Sequence, residues 1–341
     1  MSEKGLTLNQ INYLNIGLMI GSAFLAFLYP FELFLFVYAF LGPLHYLTEI
    51  SWLHDRQYFT QGKYDYLFLT AASLIITLVG LGIIRSLTPL TIPAITLTVF
   101  VSALVFITFK NIIFRILLIS LILLVSINLI EINFVNTTFG LFLPTIIHVC
   151  LFTGLFVLIG SLKSKNLSGF ASLAVFVLCI LSFFVFYPVH PELFATEFVK
   201  KTYQDFSILN FALSVPFSQH SLDIPNNLNE YNNYVNNTLY SQPQAFAIMS
   251  FIAFSYTYHY LNWFSKTSII QWHEISKTRL SIIVFIWLVS IGVFLYDYGI
   301  GLTWLTFLSL SHVFLEFPLN HLTFINIGKA LSGLRQKNIK N

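Results

Sequence analysis

The sequence predicts an all-α protein, a polytopic transmembrane helical bundle of about ten spans with N- and C-termini cytoplasmic. Three observations predict it. The 341 residues are 57% hydrophobic and only 9% charged, with a mean hydropathy of +0.79. A soluble domain carries about 25% charged residues, so this chain has too little charge to coat a water-facing surface and the bilayer is its main solvent. The apolar residues fall in ten stretches long enough to cross a bilayer, for which about 20 residues are needed. All but three of the 17 Lys and Arg residues then fall on one side of the membrane, as cytoplasmic loops require.

The spans are read in order near 11–29, 32–54, 65–86, 91–109, 112–130, 139–162, 168–188, 243–264, 280–297 and 301–325. The first is long enough to stay in the membrane, and no cleavable leader is read before it. Tyr29–Pro30 marks the tight turn into the second, because proline cannot continue a helix from its interior. His54-Asp55-Arg56 closes the second, and Lys63 precedes the third. A turn around Arg85–Pro89 separates the third from the fourth. Lys110 and Arg115 place the next connection inside, as do Lys163 and Lys165 after the sixth span. Lys266, Lys277 and Arg279 do the same between the eighth and ninth, and Lys329, Arg335, Lys337 and Lys340 follow the tenth. Arg85, Lys200 and Lys201 are the outside exceptions. A count wrong by one span would scramble this alternation. The reading is a single integral domain, 1–341, of the inner (cell) membrane.

One extracytoplasmic loop is long, 189–242. It contains His190, Pro191, Pro216, His220, Pro225 and the run from Asn226 to Asn233. Between Glu192 and Phe211 the apolar residues follow a rough helical spacing, which fits either an amphipathic helix lying on the outer interface or an irregular loop. The net charge of +3 is small and says nothing about nucleic acid; there is no basic run interleaved with aromatics, and no nucleic-acid partner is expected. There is no glycine-rich phosphate loop and no CxxC. Cys150 and Cys179 sit in apolar stretches and read as small core residues.

The residues with chemistry are the histidines and acids inside the spans. Ionisable groups in a bilayer are costly and mark sites. His45 and Glu49 lie in the second span with His54 at its end, and His148 lies in the sixth. His259 lies in the eighth, with His273 and Glu274 just after it, and His312 and Glu316 lie in the tenth with His321 near its end. All four spans run from outside to inside, so these residues share the middle and cytoplasmic half of the bilayer. Two segments repeat one spacing, His45-x3-Glu49-x4-His54 and His312-x3-Glu316-x4-His321. Residues four apart share a helix face, so each pair offers an imidazole and a carboxylate to one point, a donor set suited to non-haem iron. The nine residues from His45 to His54 rotate a straight helix by about half a turn beyond two full turns, so His54 faces away from His45. Pro318 relaxes that restriction for His321 by bending its helix.

His45, Glu49, His259, His312 and Glu316 are thus the metal-site candidates. His54, His148, His273 and His321 are further ligands or hydrogen-bonding supports. The bland alternative is that each histidine is packing, and that each His–Glu pair neutralises itself. Two such pairs at one depth weigh toward a metal. For Trp263, Trp272 and Lys266 the interfacial belt is the better reading.

The segment Gly42-Pro43-Leu44-His45-Tyr46-Leu47-Thr48-Glu49 resembles the histidine-containing segment of the Brp/Blh family of membrane β-carotene dioxygenases. Ser311-His312-Val313-Phe314-Leu315-Glu316 is similar to that family's last histidine–acid segment, and Tyr258-His259-Tyr260 to its middle one. The resemblance implies a helical membrane enzyme that holds Fe(2+) mainly by histidines and cleaves a carotenoid with dioxygen. The leading expectation is therefore a membrane-embedded non-haem iron oxygenase acting on an apolar carotenoid or other lipid. A proton- or metal-coupled transporter, with the same groups as a relay, is the second reading. A non-catalytic bundle is the third.

Overall fold

A computed structural model describes residues 6–88, 91–186, 196–215 and 228–339. Among these the chain is helical, with no strand. In lipid every backbone N–H and C=O must be satisfied within the element, which a helix does unaided. The helices are α1 (Leu8–Leu28), α2 (Pro30–His54), α3 (Asp65–Gly80), α4 (Ile92–Thr108), α5 (Ile112–Leu129), α6 (Asn133–Ser164) and α7 (Leu167–Val185). They continue as α8 (Glu197–Tyr203), α9 (Ser207–Ser214), α10 (Leu228–Asn237), α11 (Pro243–Ser265), α12 (Lys277–Tyr296) and α13 (Tyr298–Ile339).

A helix occurs in each of the ten predicted stretches, though α3 ends at Gly80, short of the predicted 86. Seven of them, α1, α2, α5, α6, α7, α12 and α13, are long and apolar enough to cross a membrane. α3 and α4 are apolar but shorter, at 16 and 17 residues. α11 has the length, but its tyrosines, serines, His259 and Asn262 dilute its apolar character. Helix starts follow capping chemistry. Thr7 and Gln10 form a reciprocal capping box before α1, and Asn111 accepts from Ile113 N and Phe114 N at 2.9 and 3.1 Å before α5, so orphan N–H donors are satisfied. Pro30 opens α2, where its missing N–H is harmless.

Among the described residues of the stretch read as a long loop lie the short helices α8, α9 and α10. His190, Pro191, Pro216, His220, Pro225, Asn226 and Asn227 lie outside the described residues, as do Lys4, Pro89 and Lys340.

The chain gathers into two compact units. The first comprises residues 1–41 and 167–270. Here α1 packs on α7 and α11. Neutral polar groups join them: Asn12 Nδ2 donates to Ser168 Oγ at 2.9 Å, and Tyr258 OH and Ser265 Oγ donate to Asn15 Oδ1 at 3.2 and 3.0 Å. The remaining packing is aromatic. Phe34 stands edge-on to Tyr203, Phe206 and Tyr256 with centroids 5.6, 5.0 and 5.0 Å away, the favoured geometry for ring quadrupoles.

The second unit comprises residues 42–166 and 271–341. Its long helix α13 packs on the second half of α2 and on α3, α4, α6 and α12. Leu69, Val99, Phe106, Leu143, Phe152 and Phe314 belong to its core. At one end of α3, Arg115 from α5 grips Asp65 with two bonds of 2.9 Å and also donates to the carbonyls of Phe106 and Phe109. The fork geometry satisfies a buried pair that would otherwise be costly to desolvate. A Cβ on Gly140 would meet the Pro93 ring at 2.8 Å, so only glycine permits α6 to approach α4 this closely.

Two wide turns matter for the site. Residues Val37–Leu41 of α2 and Thr138–Phe152 of α6 are π-helical. The first lies just before Pro43 and the second contains Pro144. A proline removes one helical donor and clashes with the carbonyl four residues earlier, and a widened helix is one way to absorb this.

Candidate metal centre

The second unit buries five ionisable groups from three helices in one cluster. They are His45 and Glu49 on α2, His148 on α6, and His312 and Glu316 on α13. None exceeds 3% exposure. Each helix presents them for a local reason. His45 and Glu49 are one turn apart after the π turn and Pro43. His148 lies inside the π-helical stretch, four residues after Pro144. His312 and Glu316 occupy the turn before Pro318, which itself provides no N–H for the carbonyl of Phe314.

The contacts form two branches. His45 Nε2 lies 3.1 Å from Glu49 Oε2. His148 Nδ1 lies 3.3 Å from Glu316 Oε2, and His148 Nε2 lies 3.1 Å from His312 Nε2. His45 and His312 meet edge to face with ring centroids 5.3 Å apart, and each offers a ring nitrogen within 4.8 Å of the other's. Tyr46 stacks on His312 at 4.3 Å and fixes its ring plane.

Proton bookkeeping gives these branches a meaning. Two nitrogens 3.1 Å apart can share only one proton in a hydrogen bond. His148 Nδ1 and Glu316 Oε2 lie at ion-pair distance but are not aligned as a hydrogen bond. The hydrogen bond is the one between the rings, His148 Nε2 with His312 Nε2, in which one ring donates and the other accepts. His45 Nε2 and Glu49 Oε2 are likewise at ion-pair distance without hydrogen-bond alignment. Each carboxylate thus lies against an imidazole, and His312 connects to Glu316 through the His148 ring. This is the arrangement that orients metal-ligating histidines and raises their basicity. Two buried carboxylates in a low-dielectric site also call for a compensating positive charge. Among the described residues, the ion pairs of Glu49 and Glu316 are with histidine rather than Lys or Arg. A divalent cation fits this donor set in chemistry and in charge.

The geometry differs from the sequence reading in one respect. That reading aims both carboxylates at the metal beside the histidine of their own helix. Glu316 instead meets His148 from α6, because a cross-helix partner can bind an imidazole that i, i+4 geometry cannot specify. His148 is therefore at the centre of the cluster. Its signal in the sequence was a lone histidine four residues after a proline in an otherwise apolar span. Tyr46, adjacent to His45, was the residue missed.

The flanking candidates lie elsewhere. His54 is exposed at the end of α2, where its Nδ1 meets Tyr58 OH at 3.3 Å. Tyr58 sits in the turn Gln57–Phe59, whose three residues have φ of 49, 53 and 57°, a left-handed run that costs energy for L side chains. Stacking of Tyr58 on Tyr66 at 5.2 Å also holds it, and burial raises the Tyr58 hydroxyl to about 12. His321 lies 2.8 Å from the Phe100 carbonyl through Nε2 and packs on that ring, a helix-to-helix contact. His273 and Glu274 are exposed in the connection before α12. His259 belongs to the first unit, buried on α11 with its ring 5.5 Å from that of Tyr260.

On the flank of the same unit, an apolar cleft of about 470 Å³ opens between α3, α4 and α5, lined among others by Phe68, Ala72, Ile95, Val99, Ile119 and Leu123. One of its walls, α3, is joined to α13 by a hydrogen bond of 2.8 Å between Ser73 Oγ and Ser311 Oγ.

No family model matches this chain, and neither do the curated proteins or the solved structures.

Proposed function

We propose that the chain is an inner-membrane protein of ten spans with both ends cytoplasmic, and that its second unit holds a non-haem iron used to oxidise an apolar lipid. The carrying observation is the pair of imidazoles His45 and His312, each close to a buried carboxylate, directly or through His148. His45 and His312 supply nitrogen ligands. Glu49, His148 and Glu316 orient them and balance the charge. His259 is the further imidazole that the sequence reading assigns to the metal. Iron, rather than zinc or copper, rests on the resemblance to the Brp/Blh family, as does the carotenoid.

Bound iron would supply dioxygen chemistry, adding one oxygen atom to each carbon of a cleaved double bond to give two carbonyl products. The chain's own part is to keep water out, to hold the imidazoles neutral and oriented, and to admit substrate from the bilayer. The apolar cleft beside α3 supports an apolar substrate.

The test is elemental analysis of purified full-length protein. Wild type should carry iron near one equivalent, and His312→Ala should lose most of it. Iron at the wild-type level in that variant would refute the assignment. A second reading has its own support, because Glu316, His148 and His312 form a continuous chain of the kind that relays protons in transporters. It predicts proton flux in liposomes that Glu316→Gln abolishes and that needs no iron.

A further inference from the structure

Asn320 lies one turn beyond Glu316 on α13. It is 2% exposed, and among the described residues neither its Nδ2 nor its Oδ1 has a hydrogen-bond partner. A side-chain amide in that state is rare in a folded protein and costs about 1–3 kcal/mol for each unsatisfied group. The surroundings explain where a ligand would come from. One further turn along α13, Phe324 is 41% exposed, and its ring meets the buried Phe152 edge-on at 5.9 Å. An aromatic wall thus runs from the exposed Phe324 inward to Phe152. Phe152 in turn contacts the His148 ring at 6.2 Å, so the wall ends at the histidine cluster.

We propose that Asn320 is a docking point for the polar end of an amphipathic lipid, and that this end is a hydroxyl. The inference deepens the proposed function and rests on its apolar-substrate reading. The chemistry of the amide selects the group. Nδ2 donates and Oδ1 accepts, so the matching group must do both. A ketone or aldehyde oxygen accepts only and leaves Oδ1 unsatisfied. An ionised carboxylate also only accepts, and it would bring a third negative group to a site that already buries Glu49 and Glu316. An alcohol satisfies both atoms of the amide without charge. Its hydrocarbon tail lies against Phe152 and Phe324 and leads to the bilayer. A lipid alcohol is therefore favoured over the parent hydrocarbon.

The experiment uses the full-length protein in phosphatidylcholine nanodiscs and two photoaffinity probes. One is a long-chain primary alcohol with a diazirine on its chain, and the other is the matching alkane. The alcohol should label α13 between Glu316 and Phe324 about tenfold more than the alkane at equal concentration, since a tenfold ratio corresponds to one or two well-made hydrogen bonds. Asn320→Leu should abolish that preference while leaving iron content unchanged. Equal labelling by the two probes in wild type would overturn the proposal, which is the result expected if water alone serves the amide. So would a preference that survives Asn320→Leu. If that variant does not fold, the wild-type probe pair still decides. Iron retained without alcohol preference sinks this inference alone. Alcohol preference without iron sinks the metal reading and leaves Asn320 as a lipid site.

Discussion

The two units of this protein bury their polar groups in different ways. The first joins its helices with neutral donors and acceptors: Asn12 with Ser168, and Asn15 with Tyr258 and Ser265. Around them it packs rings on Phe34. The second joins its helices with ionisable groups, the Asp65–Arg115 fork at one end and the His–Glu cluster in the interior. Neutral pairs hold helices together cheaply, because nothing charged must leave water. Ionisable groups in the same setting are expensive, so their concentration in one unit is what motivates the proposed site. The contrast also separates two uses of burial. Asp65–Arg115 is self-compensating and reads as structure. Among the described residues the ion-pair partners of Glu49 and Glu316 are imidazoles, which is why these two carboxylates enter the proposed metal site.

The largest expected effect is in the second unit's cluster. His148→Phe keeps the ring volume but cuts Glu316 off from His312, and iron affinity should fall by about 10- to 100-fold, measured by chelator competition. A loss no larger than that of a remote control such as Ser126→Ala would break the proposed relay. In the first unit the sequence reading makes the parallel substitution, His259→Ala, lower iron content as well. Unchanged iron in that variant would confine the site to the second unit.

The next effect separates charged from neutral joints. Arg115→Met leaves a buried carboxylate without its partner and should cost about 3–5 kcal/mol. Asn15→Leu removes a neutral acceptor from Tyr258 and Ser265 and should cost about 1–2 kcal/mol. Denaturant unfolding in detergent ranks the two. Equal losses would erase the distinction drawn between the units.

The smallest effect concerns Lys266, which follows α11. Burial lowers its ammonium from the usual lysine range to about 8. The unfolded chain therefore binds more protons than the folded one between pH 8 and the normal lysine value of about 10.4. Stability should rise with pH across that window, and Lys266→Met should flatten the rise. A slope in the variant as steep as in wild type would assign the titration to another group.

What the sequence determined by itself is the solvent and the secondary structure. So few charges over so many apolar residues leave only a bilayer, and a bilayer admits only closed backbone hydrogen bonding, so each apolar stretch becomes a helix. Spacing within one helix was legible too, which is why His45 with Glu49 and His312 with Glu316 stood out. The tertiary structure decided which helices meet. It made His148 the bridge between Glu316 and His312, turned His54 and His321 to other contacts, and, among the described residues, left both amide atoms of Asn320 without a hydrogen-bond partner. The short helices within 189–242 were not decided by the sequence, whose apolar spacing between Glu192 and Phe211 fitted a loop equally well. Periodicity records which face of a helix a residue occupies, but not which neighbour that face will find. That choice depends on contacts between residues more than a hundred positions apart, and no local pattern encodes it.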